Sequence, residues 1–348
     1  MTVEKKITPI KDIGEFALIN RLVKKFSKKN KSTLKAWGDD AALIDFKDKQ
    51  VVMSTDMLVE GIHFDRNYTP LKHLGYKAVV INLSDIYAMN AKPTQIVVSL
   101  AISSGYSVEA LEELYEGIRF ACEKYHIDLV GGDTSSSLSG MTISITVLGE
   151  VEKEEVVYRN GAKENDLICV SGDLGAAYMG LQVLLRENEV FKANPNTQPQ
   201  LEEYDYILQR QLKPEARKDI IDLLKKAKIK PTSMIDISDG LSSEILHICK
   251  QSDVGCVLYE EKIPLAKETR KIGKEFNLAP SIPALNGGED YELLFTIPLK
   301  YAEEIQRYPE ISIVGHIVKK EKGTSLISND GKAFPLEAQG WQATDAQV

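Results

Sequence analysis

A chain of 348 residues, 43% of them apolar and 27% charged, has ample material for a packed core and more length than one core usually carries. Two α/β domains are expected, and disorder is not. A net charge of −8 excludes the concentrated basic face that a nucleic-acid protein needs.

The basic run Lys24 to Lys31 is read as a solvated helix end. Gln50–Asp56 is a short apolar run ending in acid, which suits a strand that delivers a carboxylate at its tip. Gly75–Asn90 places Val79, Leu83 and Ile86 at helical spacing, so an amphipathic helix is expected, with Asn82 and Asp85 neighbours on its opposite face. Thr94–Ile102 is β-rich. Ser107 can cap a helix whose apolar stripe is Leu111, Leu114, Ile118, Cys122 and Tyr125. Ile127–Val130 reads as a strand that runs into a turn at Gly131-Gly132-Asp133-Thr134. Met141, Ile143, Ile145 and Val147 alternate with Thr142, Ser144 and Thr146, the pattern of a half-buried strand.

The charged stretch Glu150–Glu155 separates a domain of residues 1–152 from one of 153–348. The second half restarts with a strand at Asp166–Val170. Ser171-Gly172-Asp173-Leu174-Gly175 follows, opening a helix from Ala176. That turn could face an anion with its backbone N–H groups, or it could simply be a tight strand–helix connection. Residues 188–205 lack periodicity and read as a surface loop or weak helix. Ser233–Ile237 is a strand ending at Asp239-Gly240, followed by a helix with Leu241, Ile245 and Ile248 on its apolar face. A strand–helix–strand unit fills Tyr291 to Ile317.

Cys122, Cys169, Cys249 and Cys256 are scattered, with no C-x-x-C pair and no histidine at metal spacing. That excludes a zinc site or disulfide framework and fits a reducing compartment. No apolar run approaches the ~20 residues of a bilayer span, and no apolar signal region follows the first charges. A cytoplasmic protein without membrane partners is expected.

The informative feature is where the carboxylates fall. Asp40, Asp56, Asp85, Asp133, Asp236, Asp239 and Glu289 stand at expected element ends or on a polar face, most of them beside Gly, Ser or Thr. Any one of them is explained by a turn or a helix cap. Their repetition points to convergence. Like charges ~4 Å apart repel by ~4 kcal/mol at an effective dielectric near 20, so a dense carboxylate cluster calls for cations. Oxygen ligands without His or Cys favour Mg²⁺, which commonly takes substrate phosphates as its remaining ligands. There is no G-x-x-x-x-G-K-[ST] and no protein-kinase signature set. A metal-rich, base-poor site fits phosphoryl transfer.

The chain resembles the thiamine-monophosphate kinase family, within the superfamily of aminoimidazole ribonucleotide synthetase. The residues that carry the resemblance run along nearly the whole chain: Trp37-Gly38-Asp39-Asp40-Ala41-Ala42-Leu43, Ser54-Thr55-Asp56 through Gly61-Ile62-His63-Phe64, and Asn82-Leu83-Ser84-Asp85. Gly131-Gly132-Asp133-Thr134, Arg159-Asn160-Gly161-Ala162, Asp236-Ile237-Ser238-Asp239-Gly240-Leu241 and Gly287-Gly288-Glu289-Asp290-Tyr291 complete the set.

The resemblance implies ATP-dependent phosphorylation of thiamine monophosphate to thiamine diphosphate by direct in-line transfer, with several Mg²⁺ ions. It implies a homodimer paired through N-terminal sheet domains that bind ATP and Mg²⁺. Beside them would lie a C-terminal α/β domain, a mixed sheet flanked by helices. By motif position, Asp40, Ser54, Thr55, Asp56, Asp85, Asp133, Asp236 and Asp239 would hold metal. Gly132, Asp133, Arg159 and Ser238 would contact ATP, and His63, Glu289 and Trp341 the thiamine phosphate. Asp56, Asp239 and Arg159 would carry the catalysis. Tyr87, Asn90 and Asn165 depart from the family pattern, Asn165 from a common glycine, at positions that look structural. The alternatives are a superfamily enzyme with a different acceptor, or a non-catalytic Mg-nucleotide sensor. The hydrogenase-maturation branch needs a C-terminal cysteine, whereas this sequence ends Ala-Thr-Asp-Ala-Gln-Val.

Overall fold

The computed structural model describes Thr8, Leu18, residues 21–35 and residues 43–338. Asp40 and Trp341 fall outside the described residues, as do Trp37 and Asp39. The chain divides into two units, Met1–Ile86 with Lys92–Lys153, and Tyr87–Ala91 with Glu154–Val348.

In the first unit, β1 (Thr33–Lys35) and β2 (Leu43–Ile44) form a small antiparallel ribbon. They are followed by β3 (Gln50–Val59), α1 (Leu71–Ala88), β4 (Lys92–Ile102), α2 (Val108–Tyr125), β5 (Asp128–Ser136) and β6 (Met141–Val151). The sheet order is β3-β6-β4-β5, antiparallel except for β4 and β5. Those two lie parallel because α2 carries the chain back between them, as a parallel connection requires. On β6, Met141, Ile143, Ile145 and Val147 are buried and the residues between them half-buried, the alternation expected of a sheet with one covered face.

Ser107 caps α2, its Oγ accepting from Ala110 N at 3.2 Å, and the stripe Leu111, Leu114, Ile118, Cys122 and Tyr125 is buried. α1 differs from the expected half-exposed helix. Leu74, Val79, Leu83 and Ile86 are buried, but so are Lys77, Asn82 and Ser84, and Asn82 meets β3 rather than water.

Two strands also run further than the sequence predicts. β3 continues past Asp56, paired with β6 as far as Val59 opposite Thr142. β5 runs straight through Gly131-Gly132-Asp133-Thr134 to Ser136, in register with β4. The expected turn is therefore extended strand. A Cβ on Gly132 would sit 2.0 Å from the Val98 carbonyl oxygen, so this glycine serves close strand approach rather than a bend.

The second unit contains β7 (Leu167–Ser171), α3 (Ala176–Ala193), α4 (Asp205–Leu212), α5 (Lys218–Lys226), β8 (Ser233–Ile237) and α6 (Leu241–Ser252). β9 (Gly255–Tyr259), α7 (Lys267–Glu275), α8 (Ser281–Asn286), β10 (Glu292–Ile297), α9 (Ala302–Ile305), β11 (Ile311–Val318), β12 (Thr324–Ile327) and β13 (Ala333–Pro335) follow. The seven-stranded order is β13-β12-β9-β11-β7-β10-β8, mixed because β9 and β12 run parallel.

Successive residues of its central strands enter two different apolar clusters. Ile168, Val170, Leu294, Ile235 and Ile237 join Leu241, Ile245, Ile248 and Leu285 of α6 and α8. Cys169, Leu293, Phe295 and Met234 join Ile220 and Leu224 of α5. Period-two alternation thus places one helical layer on each face of the sheet. Each fully buried apolar side chain of this kind contributes about 1.5–3 kcal/mol. The four cysteines are buried and unbridged. None of the described helices is long and apolar enough to cross a membrane.

The departures from the family pattern have local reasons. Asn165 has φ 72° and Asn90 φ 56°, the left-handed region that asparagine tolerates better than most side chains. Asn90 also donates from Nδ2 to the Glu155 carbonyl at 2.7 Å. Tyr87 is buried within the second unit.

Candidate active site

In the first unit the acids meet where β3 packs on α1. Alternation along β3 turns Ser54 and Asp56 to the half-buried face and Thr55 to the exposed one. Ser54 Oγ donates to Asp85 Oδ2 at 2.5 Å, and Asp56 N donates to Asn82 Oδ1 at 3.0 Å. Asn82 is itself held by its own helix, Nδ2 donating to the Ala78 carbonyl at 3.0 Å. Burial first, and then the neighbouring Asp85 carboxylate, push the Asp56 carboxyl up to about 6. Thr55 faces away, its Oγ1 donating to the Ile145 carbonyl at 3.1 Å. Ser54, Asp56 and Asp85 are therefore brought together, and the Thr55 side chain is not.

Asp133 is exposed on β5, with β6 and β4 between it and β3. His63 lies in the turn after β3, its Nδ1 accepting from Val59 N at 3.0 Å. The flank of that turn is pinned. Tyr106 Oη donates to Glu60 Oε2 at 2.6 Å, and the Arg66 guanidinium lies 4.5 Å from the centre of the Tyr106 ring.

In the second unit, β8 ends in the turn Ser238-Asp239-Gly240 and α6 begins. Asp236 is buried on β8, opposite Leu293 of β10. Glu244, in the first turn of α6, reaches back: its Oε1 accepts from Asp239 N at 2.8 Å and from Ser238 Oγ at 3.4 Å. Burial, with Asp239 and Asp236 nearby, pushes the Glu244 carboxyl up to about 8. Burial also raises Asp239, an effect that His247 offsets in part.

The second turn of this unit packs directly on the first. Glu289 N donates to the Ser238 carbonyl at 2.7 Å, and Tyr291 N to the Ile237 carbonyl at 2.9 Å. Gly288, Glu289 and Tyr291 all have positive φ, and a Cβ on Gly288 would sit 2.5 Å from the Ser238 carbonyl oxygen. The Glu289 carboxylate accepts from Gln211 Nε2 at 2.7 Å. Asp290, fully enclosed, accepts from Gly175 N at 2.7 Å at the start of α3, and its burial pushes it up to about 7. The turn at Gly172–Gly175 is thereby tied to a protein carboxylate.

Below it, Glu292 lies between Arg210, at 2.8 Å, and Arg217. Ser238, Asp239 and Glu289 are thus assembled in one place, with Asp236 immediately before them on β8. Arg159 stands apart and exposed on the segment before β7, its side chain without an ion-pair partner among the described residues.

Three groups in these clusters were not singled out from sequence: Glu244, Gln211 and Asn82 in its bonding role. An acid one helical turn after an Asp-Gly was the available signal for Glu244, since such a side chain can reach the amides of the turn it follows. Nothing local marked Gln211, whose role depends on α4 packing beside the turn.

The donors are carboxylate, hydroxyl and carbonyl oxygens, the hard set that suits Mg²⁺. No group of three or more His, Cys, Asp or Glu residues is assembled to hold a metal among the described residues. Asp56 stands with Asp85 as a pair. A cation bound by few carboxylates keeps positions for water and phosphate oxygens, so these residues fit Mg²⁺ in that mode.

A family model described as AIR synthase related protein, N-terminal domain, matches residues 38–151. The chain is 37% identical over 330 residues to the thiamine-monophosphate kinase of Buchnera aphidicola subsp. Schizaphis graminum, covering 92% of this chain and 96% of that one. It is 35% identical over 333 residues to the Aquifex aeolicus thiamine-monophosphate kinase, covering 96% and 99%. Among solved structures it is similar to AaThiL complexed with AMPPCP and TMP, with a TM-score of 0.73 and 31% identity over 99% of this chain and 100% of that one. Similarity at this level along both units establishes that the chain belongs to the thiamine-monophosphate kinase family.

Proposed function

We propose that the chain transfers the γ-phosphoryl group of ATP to the phosphate of thiamine monophosphate, giving thiamine diphosphate and ADP. The observation that carries this reading is the bond between Glu289 N and the Ser238 carbonyl. It joins the turn matching the family's nucleotide and metal residues to the turn matching its acceptor residue. A fixed spacing between donor and acceptor residues is what an in-line displacement requires.

The acceptor oxygen is already anionic near neutral pH, so no strong general base is needed. An oxygen of the thiamine phosphate forms a bond to the γ-phosphorus as the bond from that phosphorus to the β–γ bridging oxygen breaks. The electron pair leaves with ADP. What opposes the step is repulsion between two polyanions, which bound Mg²⁺ would offset. Several Mg²⁺ ions are proposed: in the first unit Ser54, Asp56 and Asp85 would hold metal, with Asp40 and Asp133 as further ligands, and in the second unit Asp236 and Asp239 would do so. Thr55 would contribute through its main chain. Gly132, Asp133, Arg159 and Ser238 would contact ATP. The exposed Arg159 would supply positive charge for phosphate, and Gly132 would supply backbone that phosphate oxygens can approach. His63, Glu289 and Trp341 would contact the acceptor.

Pairing into a homodimer through the first unit's sheet belongs to the same proposal. β3 is an edge strand whose outward side chains Val51, Met53 and Met57 are 48%, 68% and 55% exposed, an apolar stripe that a second copy would cover.

The experiment is turnover of thiamine monophosphate with ATP and Mg²⁺, resolved by chromatography, on the wild type and on Asp239→Asn. Product from the wild type and a loss of about a hundredfold or more in the variant would support the reading. Equal rates would remove Asp239 from it.

A further inference from the structure

Glu244 is 2% exposed, sits in the first turn of α6 and belongs to none of the motif positions that the family resemblance assigns. Its two oxygens have different surroundings. Oε1 accepts from Asp239 N at 2.8 Å and from Ser238 Oγ at 3.4 Å, which fixes the turn. Oε2 is buried with no hydrogen-bond partner among the described residues. The charges it faces are those of Asp239 and Asp236, both acids. A buried carboxyl oxygen without a hydrogen-bond partner is costly, by roughly 1–3 kcal/mol, and such an orphan in a native fold calls for a partner from outside the chain.

We propose that Glu244 is the positioning residue of the metal–nucleotide turn. Its Oε1 holds Ser238 and Asp239 in place, and its Oε2 accepts from water carried on the cation that Asp236 and Asp239 bind. This rests on the functional reading only in taking Asp236 and Asp239 as metal-binding. It is independent of the acceptor's identity. Outer carboxylates of this kind tune the ligands they hold, and their removal costs 10–100-fold in metal affinity in other proteins.

Glu244→Gln separates the two roles. The amide oxygen can still accept from Asp239 N, while the other position becomes a donor aimed at acids. The readouts are Mn²⁺ binding by electron paramagnetic resonance, calorimetric titration with Mg·AMPPCP, and the melting temperature without metal. The expected result is Mn²⁺ and Mg·AMPPCP affinities lower by about tenfold or more, with metal-free melting at or above wild type. A merely structural role would instead lower the melting temperature and leave Mn²⁺ affinity alone.

Glu244→Asp, which keeps the charge one methylene short, is the second variant should Glu244→Gln fail to fold, and an intermediate loss is expected of it. Wild-type Mn²⁺ and nucleotide affinities in the folded variants would overturn the proposal. A wild-type protein that binds Mg·AMPPCP, with Glu244→Gln losing it, yet makes no thiamine diphosphate would overturn the functional reading and leave Glu244's role standing. A wild type that binds neither Mn²⁺ nor Mg·AMPPCP would overturn both.

Discussion

Glu289 donates its backbone N–H to the carbonyl oxygen of Ser238 at 2.7 Å, and its side chain is gripped by Gln211 at 2.7 Å. The residue proposed to contact the acceptor is therefore located by these two anchors. One lies in the turn after β8 and the other on α4. Its φ of 59° is strained for a side chain with a Cβ, and it persists because those bonds over-determine the turn.

Gln211→Leu removes the side-chain anchor while keeping volume. A hydrogen bond to a charged group contributes about 1.5–3 kcal/mol, so KM for thiamine monophosphate should rise roughly 10–100-fold. KM for ATP should stay within about twofold, because Ser238 and Asp239 are held by Glu244 instead. Steady-state kinetics with each substrate varied in turn makes the distinction. A parallel rise in both constants would show that Gln211 supports the fold rather than Glu289.

Asp56 makes the pH dependence specific. Its carboxyl is pushed from 3.8 up to about 6, by burial and then by Asp85. The metal-free folded chain thus holds that proton more tightly than the unfolded chain does. The stability this group contributes is fully present below about 4 and is lost as pH rises through about 6. Cation binding runs the other way, since the ionised form is the ligand and protons compete for it. At limiting Mg²⁺ the rate should fall below about pH 6, and saturating Mg²⁺ should move that limb to lower pH. Rate profiles at two Mg²⁺ concentrations measure it. Superimposable acid limbs would separate Asp56 from the metal.

Glu292 offers a stability test away from the chemistry. Its side chain has 0% exposure and lies between Arg210 and Arg217, with Ser171 also donating to it. Glu292→Gln removes the buried charge that both guanidinium groups share, leaving Arg217 with the exposed Asp219 at 2.8 Å and Arg210 with Asp290 at 3.8 Å, a loss of about 3 kcal/mol, the low end for a broken buried pair. Urea unfolding should show it as a lower midpoint. An unchanged midpoint would mean that Asp219 and Asp290 suffice as counter-charges.

Much of this was legible in the sequence, for reasons of periodicity. The alternation on β6, the capped stripe of α2 and the strand–turn–helix at Ser233–Ile248 all depend on local pattern, and each stands as expected. The resemblance supplied the family. Strand length was not legible, because β3 and β5 continue through Asp56 and Asp133 on the strength of partners far along the chain. Glycines that read as a turn at Gly131-Gly132 instead allow β5 to lie close against β4. The polar side of α1 was visible, but not that Asn82 meets a strand instead of water. Asp40 and Trp341 lie outside the described residues, so their expected roles remain proposals.

The central claim is phosphorylation of thiamine monophosphate at a metal-dependent site. Purified protein incubated with thiamine monophosphate, ATP and Mg²⁺, with an EDTA control, tests it in one chromatogram. Thiamine diphosphate formed in equal amount to ADP, and only with metal present, is the predicted result. ADP without thiamine diphosphate, or neither product while Mg·AMPPCP still binds, would contradict it.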